Sequence, residues 1–162
     1  MTMPLRSGLR ALAGLVLATL AACSRGDTPP PYAPGLGEIM SAQQMRHAKL
    51  WLAGEAANWE LVRYEIDELE EGFADAVEYH PTHRNTDLPL AELVPQMTRE
   101  PIAALRRADD ARDRAAFTTA FDALTDGCNG CHRATNFGFN VVTRPKGDPF
   151  VNQDFAPPPS GG

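Results

Sequence analysis

Residues 128–132 read Cys-Asn-Gly-Cys-His, and this run constrains the chain more than any other. Residues three apart on a helix share a face, so both thiols project to one side with the imidazole of His132 beside the second. A structural zinc site needs four donors, and neither a second cysteine pair nor an H-x3-5-H partner occurs elsewhere in the chain. A redox dithiol opens a helix after a strand in a βαβ setting, whereas the residues before Cys128 read as the body of a helix.

The run matches the attachment pattern of c-type haem, C-x-x-C-H. In that pattern Cys128 and Cys131 become thioether links to one porphyrin edge and His132 becomes an axial iron ligand. One covalent haem c is therefore the expected cofactor.

The other end of the chain bears on compartment. Arg6 and Arg10 precede a short apolar stretch over residues 11–20, which reads as an export signal too short to span a membrane. Its end, Leu20-Ala21-Ala22-Cys23, resembles the lipobox of bacterial lipoproteins, in which the cysteine takes lipid and becomes the first residue of the mature protein. Residues 1–22 are then the signal peptide, and Cys23 is the lipidation site. Ordinary cleavage after Ala22 is the simpler alternative. With Cys23 lipidated and the other two cysteines on haem, all three cysteines of the chain are accounted for. The expected location is the periplasmic side of a bacterial membrane, the outer membrane favoured, with the soluble periplasm otherwise.

Residues 23–37 hold Pro29-Pro30-Pro31, Pro34, Gly35 and Gly37 and read as an extended tether. A first helix is expected over 38–53, with Ile39, Met40, Gln43, His47, Leu50 and Trp51 on one arc and Gly54 ending it. A second, over 55–79, carries Trp59, Val62, Ile66, Leu69, Phe73 and Ala76 at 3-4 spacing and sets Glu65, Asp67, Glu68, Glu70, Glu71, Asp75 and Glu78 outward. His80 and His83 follow in a loop ended by no metal-ligand spacing and read as ordinary polar residues. Asp87 is a plausible N-cap for a third helix, with Pro89 in its first turn. Pro95 and Pro101 predict a kink or split near Thr98, itself an acceptable N-cap. The fourth helix opens around Asp109 or Asp110 and runs to about Asn136. Its stripe of Phe117, Phe121, Leu124, Cys128 and Cys131 continues the apolar seam into the haem motif, and Gly138 is the expected C-cap. Residues 139–162 read as an irregular tail whose Phe139, Val141, Val142, Phe150 and Phe155 are able to pack across a haem edge.

An all-α four-helix bundle over residues 38–138, with C-x-x-C-H in its last helix, resembles the class II cytochromes c, the group containing cytochrome c-prime and its low-spin relatives. The resemblance implies that His132 is the fifth iron ligand and that the sixth position faces the first helix. In the low-spin members a methionine there binds iron, which points to Met40; in cytochrome c-prime the position is open. His47 lies on the same arc and calls for a partner if buried, either iron or a haem propionate. Met40 and His47 are separated by two turns, about 10 Å of helical rise, so only one of them can be the ligand. Arg46 and Lys49 are candidates for propionate pairing.

An occupied sixth position implies electron transfer, with the chain as a membrane-tethered monohaem cytochrome. An open one implies a gas-binding haem protein. No nucleophile-base set, phosphate loop or hydrolytic metal motif points to an enzyme. Of the 15 Lys and Arg, two fall in the first 23 residues, which hold no acid, so the remainder carries a formal charge of −8. That excludes nucleic acid and favours basic redox proteins as partners, beside the membrane through its anchor and a second copy of the chain.

Overall fold

The computed structural model of the protein describes residues 32–83, 86 and 88–159. Cys23, the export segment and the triple proline of the tether lie outside the described residues, as does Asp87. Four helices follow one another: α1 (Leu36–Glu55), α2 (Trp59–Tyr79), α3 (Leu90–Ala111) and α4 (Arg114–Ala134). No strand occurs among the described residues. α1 packs on α2 and α3 on α4, and the two hairpins are joined mainly through α2 against α3, which makes a four-helix bundle. No helix among the described residues is long and apolar enough to cross a membrane.

The core is carried by Leu50, Ile66, Leu69, Leu105, Phe117, Phe121 and Leu124, all but fully buried. A smaller cluster of Leu90, Leu93 and Val94 sits against Phe73, Met97 and Cys131. The tail after α4 is irregular, as its prolines and glycines imply. Its far part nevertheless joins the core, with Phe155 buried beside Phe150. Asn58 fastens that part: its Oδ1 caps α2 by accepting from Leu61 N–H, and its Nδ2 donates to the carbonyls of Phe155 and Ala156.

Several elements depart from their sequence reading for identifiable reasons. α1 starts at Leu36, inside the expected tether, and passes through Gly54. That glycine serves a close approach: a Cβ there would lie 2.0 Å from the Phe117 ring of α4. α2 begins at Trp59 and not at residue 55, because Ala57 takes a left-handed φ of 54° and Asn58 supplies the cap. Glu65, expected outward, is only 2% exposed.

α3 is not split and does not restart at Thr98. It is one helix containing both Pro95 and Pro101, and the Thr98 hydroxyl donates to Val94 O four residues back. Pro101 has no N–H for the carbonyl of Met97. Gly127 of α4 lies against that carbonyl instead, so closely that a Cβ would sit 2.3 Å from the oxygen. The proline and the glycine together bring α3 and α4 backbone to backbone, one residue before Cys128.

α4 opens later than expected. Arg112 adopts a left-handed φ of 52°, which ends α3, and the Asp113 carboxylate caps α4 by accepting from Ala115 and Ala116 N–H. Asp109 and Asp110 belong to α3 and pair with Arg63. At the far end Asn136, not Gly138, takes the left-handed conformation, with φ 63°.

Candidate functional site

Along α4 the burial changes abruptly. Phe117, Ala120, Phe121, Leu124 and Thr125 are buried, whereas residues 127–132 are all half-buried. The stripe has the same spacing throughout, so the change reflects what faces it. Beyond Thr125 the face of the helix that carries the cysteines borders a cleft, while Gly127 stays packed on α3.

The cleft is formed by two adjoining cavities of about 70 and 230 Å³. Together they reach the lower end of the range usual for small-molecule pockets, about 300–1,000 Å³. The smaller is lined by Met40 and His47 of α1, Leu69 and Phe73 of α2, Val94 of α3, and Cys128, Cys131 and His132 of α4. Met40, Cys131 and His132 also border the larger one. All five residues that the sequence assigns to haem and iron thus line one cavity; Cys23 lies outside the described residues.

His132 is oriented. Its Nδ1–H donates to the backbone carbonyl of Asn140 at 2.6 Å, which leaves Nε2 as the unprotonated nitrogen. A bond of this kind fixes the tautomer and ring direction of metal-binding histidines and raises their basicity.

Cys128 and Cys131 are free thiols. Burial, with the neighbouring Cys131 adding to it, pushes the Cys128 thiol up to about 12, and burial also raises Cys131. Neutral, half-buried thiols are poor thiolate ligands. Among the described residues no group of three or more His, Cys, Asp and Glu side chains could hold a metal ion.

His47 is 3% exposed and held at both sides. Its Nε2 lies 2.8 Å from Thr125 Oγ1, and that hydroxyl donates onward to Phe121 O, so the imidazole Nε2–H is the donor to threonine. The ring also tilts onto Phe121 at 4.4 Å. Burial lowers its pKa to about 4, so it is neutral at physiological pH. The buried imidazole thus has a hydrogen-bond partner within the protein, one that the sequence reading, which looked to iron or a haem propionate, did not name. Met40 is half-buried where the two cavities meet.

Arg46 and Lys49 do not border the cleft. Arg46 bridges Glu68 and Gln43 between α1 and α2, and Lys49 lies over the Phe150 ring. His80 donates to Pro34 O and ties the entry of α1 to the end of α2. His83 packs on Phe137 and borders the larger cavity with His132. Asn140 and Val142 of the tail also line the cleft. Phe139 and Val141, at 82% and 65% exposure, turn away from it. Val142 is among the apolar tail residues that the sequence singles out, whereas no sequence signal separates Asn140, whose place depends on where the tail lies. No family model, curated protein or solved structure matches the chain.

Proposed function

We propose that the chain is a monohaem c-type cytochrome, an electron-transfer protein tethered to the bacterial cell envelope. The observation that carries this reading is the convergence of Cys128, Cys131 and Met40 on one cleft with a His132 whose Nδ1 is already bonded to a backbone carbonyl. Cys128 and Cys131 would hold the haem through thioether bonds, and His132 Nε2 would be its proximal ligand. Bound there, the haem supplies a one-electron redox centre. The protein's part is to fix the imidazole, to line the cleft with Leu69, Phe73 and Val94, and to exclude water from that side.

Met40 is the favoured sixth ligand. His47 would have to give up its hydrogen bond to Thr125 to present Nε2, and that would leave a buried hydroxyl without its donor. Met40 reaches the same cavity and has no comparable bond to give up. The acidic charge on α2 matches a basic redox partner, although Glu68, Asp67 and Glu70 are already paired with Arg46 and Arg106.

The absorption spectrum of the reduced protein with and without carbon monoxide tests the reading. A sharp low-spin spectrum unmoved by CO is expected, becoming CO-sensitive in Met40→Ala and staying insensitive in His47→Ala. A broad high-spin band that shifts with CO in the parent protein would replace electron transfer by gas binding. For the anchor through Cys23, Cys23→Ser should move the protein from the membrane to the soluble periplasmic fraction; unchanged membrane association would reject it.

A further inference from the structure

The tail after α4 does not merely drape over the bundle. It runs antiparallel to α4 with alternate residues turned toward the helix. Asn140 O accepts from His132, Val142 bonds Asn129, and Arg144 pairs with Asp122. The rungs fall at every second residue, and Val141 between the first two is 65% exposed.

The middle rung differs from the others. Asn129, inside the C-x-x-C-H run, uses both halves of its amide: Nδ2 donates to Val142 O at 2.9 Å, and Oδ1 accepts Val142 N–H at 2.8 Å. This two-way bond fixes the register of the segment, because both bonds go to one residue and a slip of one residue would break the two together. Register is what His132 depends on, since its partner is a main-chain carbonyl two residues upstream. Arg144, on Asp122 and the face of Trp51, and Phe155, in the core, would hold a tail in place without dictating that carbonyl's position.

We propose that Asn129 is a positioning residue: through its two bonds to Val142 it sets the Asn140 carbonyl against His132 and so tunes the proximal ligand. The proposal rests on the haem reading above. An imidazole that donates from Nδ1 is the more basic ligand and favours the ferric state. Losing the clamp therefore raises the reduction potential.

Asn129→Ala and Asn129→Leu, in the haem-loaded full chain, test this by hydrogen exchange and by spectroelectrochemistry. Exchange of the Val142 amide should quicken by roughly tenfold to hundredfold, the scale of one or two lost hydrogen bonds. The reduction potential should rise in both variants. Arg144→Ala should quicken exchange beyond residue 144 and leave the potential where it is. A loaded chain in which Val142 exchange quickens while the potential does not move would overturn the proposal and leave the cytochrome reading standing. Unchanged exchange at Val142 would overturn it as well. A chain that takes up no haem would overturn the reading beneath it, and exchange at Val142, which needs no haem, would still report on the clamp, so the two failures are distinct.

Discussion

Two buried titratable groups give the bundle an unusual dependence on pH. Burial pushes the Glu65 carboxyl up to about 7, against an ordinary 4.5, with Lys49 opposing the shift. Burial draws His47 down to about 4 from 6.5. For Glu65 the folded state holds the proton more tightly than the unfolded one, so its contribution is full below pH 4.5 and is lost as pH rises through 7. For His47 the unfolded state holds the proton more tightly, so stability is intact above pH 6.5 and is lost as pH falls through 4. Between pH 4.5 and 6.5 the slopes oppose each other, and each amounts to about 2 kcal/mol across that window at 1.36 kcal/mol per pKa unit. Glu65→Gln removes one of them. Urea unfolding followed by circular dichroism at several pH values gives the stability of variant and parent, and their difference cancels the other titrating groups. The variant should gain about 2 kcal/mol on the parent from pH 4.5 to 6.5, and about 3 kcal/mol in all by pH 8. Parallel curves would show that Glu65 ionises normally in the fold and would refute the reasoning.

Gly127→Ala sets a methyl against the Met97 carbonyl and should cost about 1–3 kcal/mol by chemical denaturation, with less haem taken up at the adjacent Cys128. Gly147→Ala, where nothing lies within 4 Å of a new Cβ, should stay within about 0.5 kcal/mol. Asp113→Ala removes the acceptor of two amide protons at the start of α4 and should cost about 1 kcal/mol, seen as a fall in Tm of about 2–4 °C. In the haem-free chain at pH 8, alkylation of Cys128 should be on the order of a thousandfold slower than that of an exposed cysteine, and urea should abolish the difference when followed by mass spectrometry.

Much of the bundle was legible because apolar spacing on a helix repeats locally. The stripes of α2 and α4 needed only their own residues to be read, and Met40 and His47 fell on the inward arc of α1 by the same rule. What failed depended on partners distant in sequence. Gly54 looked like a stop because nothing near it reveals the Phe117 ring that requires a glycine. Pro101 looked like a break because the Gly127 backbone that meets the Met97 carbonyl lies in the next helix. Glu65 looked solvated because its neighbours in sequence are acidic, while its burial is set by the helices packed around it. The cysteines and histidine of the site were named from five consecutive residues. Asn129 stood among those five and passed as a spacer, for its partner is contributed by the tail.

Residues 140–155 follow all four helices in the chain, and their bonds to α4 and the burial of Phe155 tie the end of the sequence back onto the bundle. The distance in sequence from Asn58 to its tail partners, 97 and 98 residues, adds a slow long-range closure to an otherwise local fold. Asn140 and Val142, contributed by the tail, line the cleft on the side of Cys128 and Cys131. The wall of the cleft is thus the part of the bundle that rests on its longest loop closure.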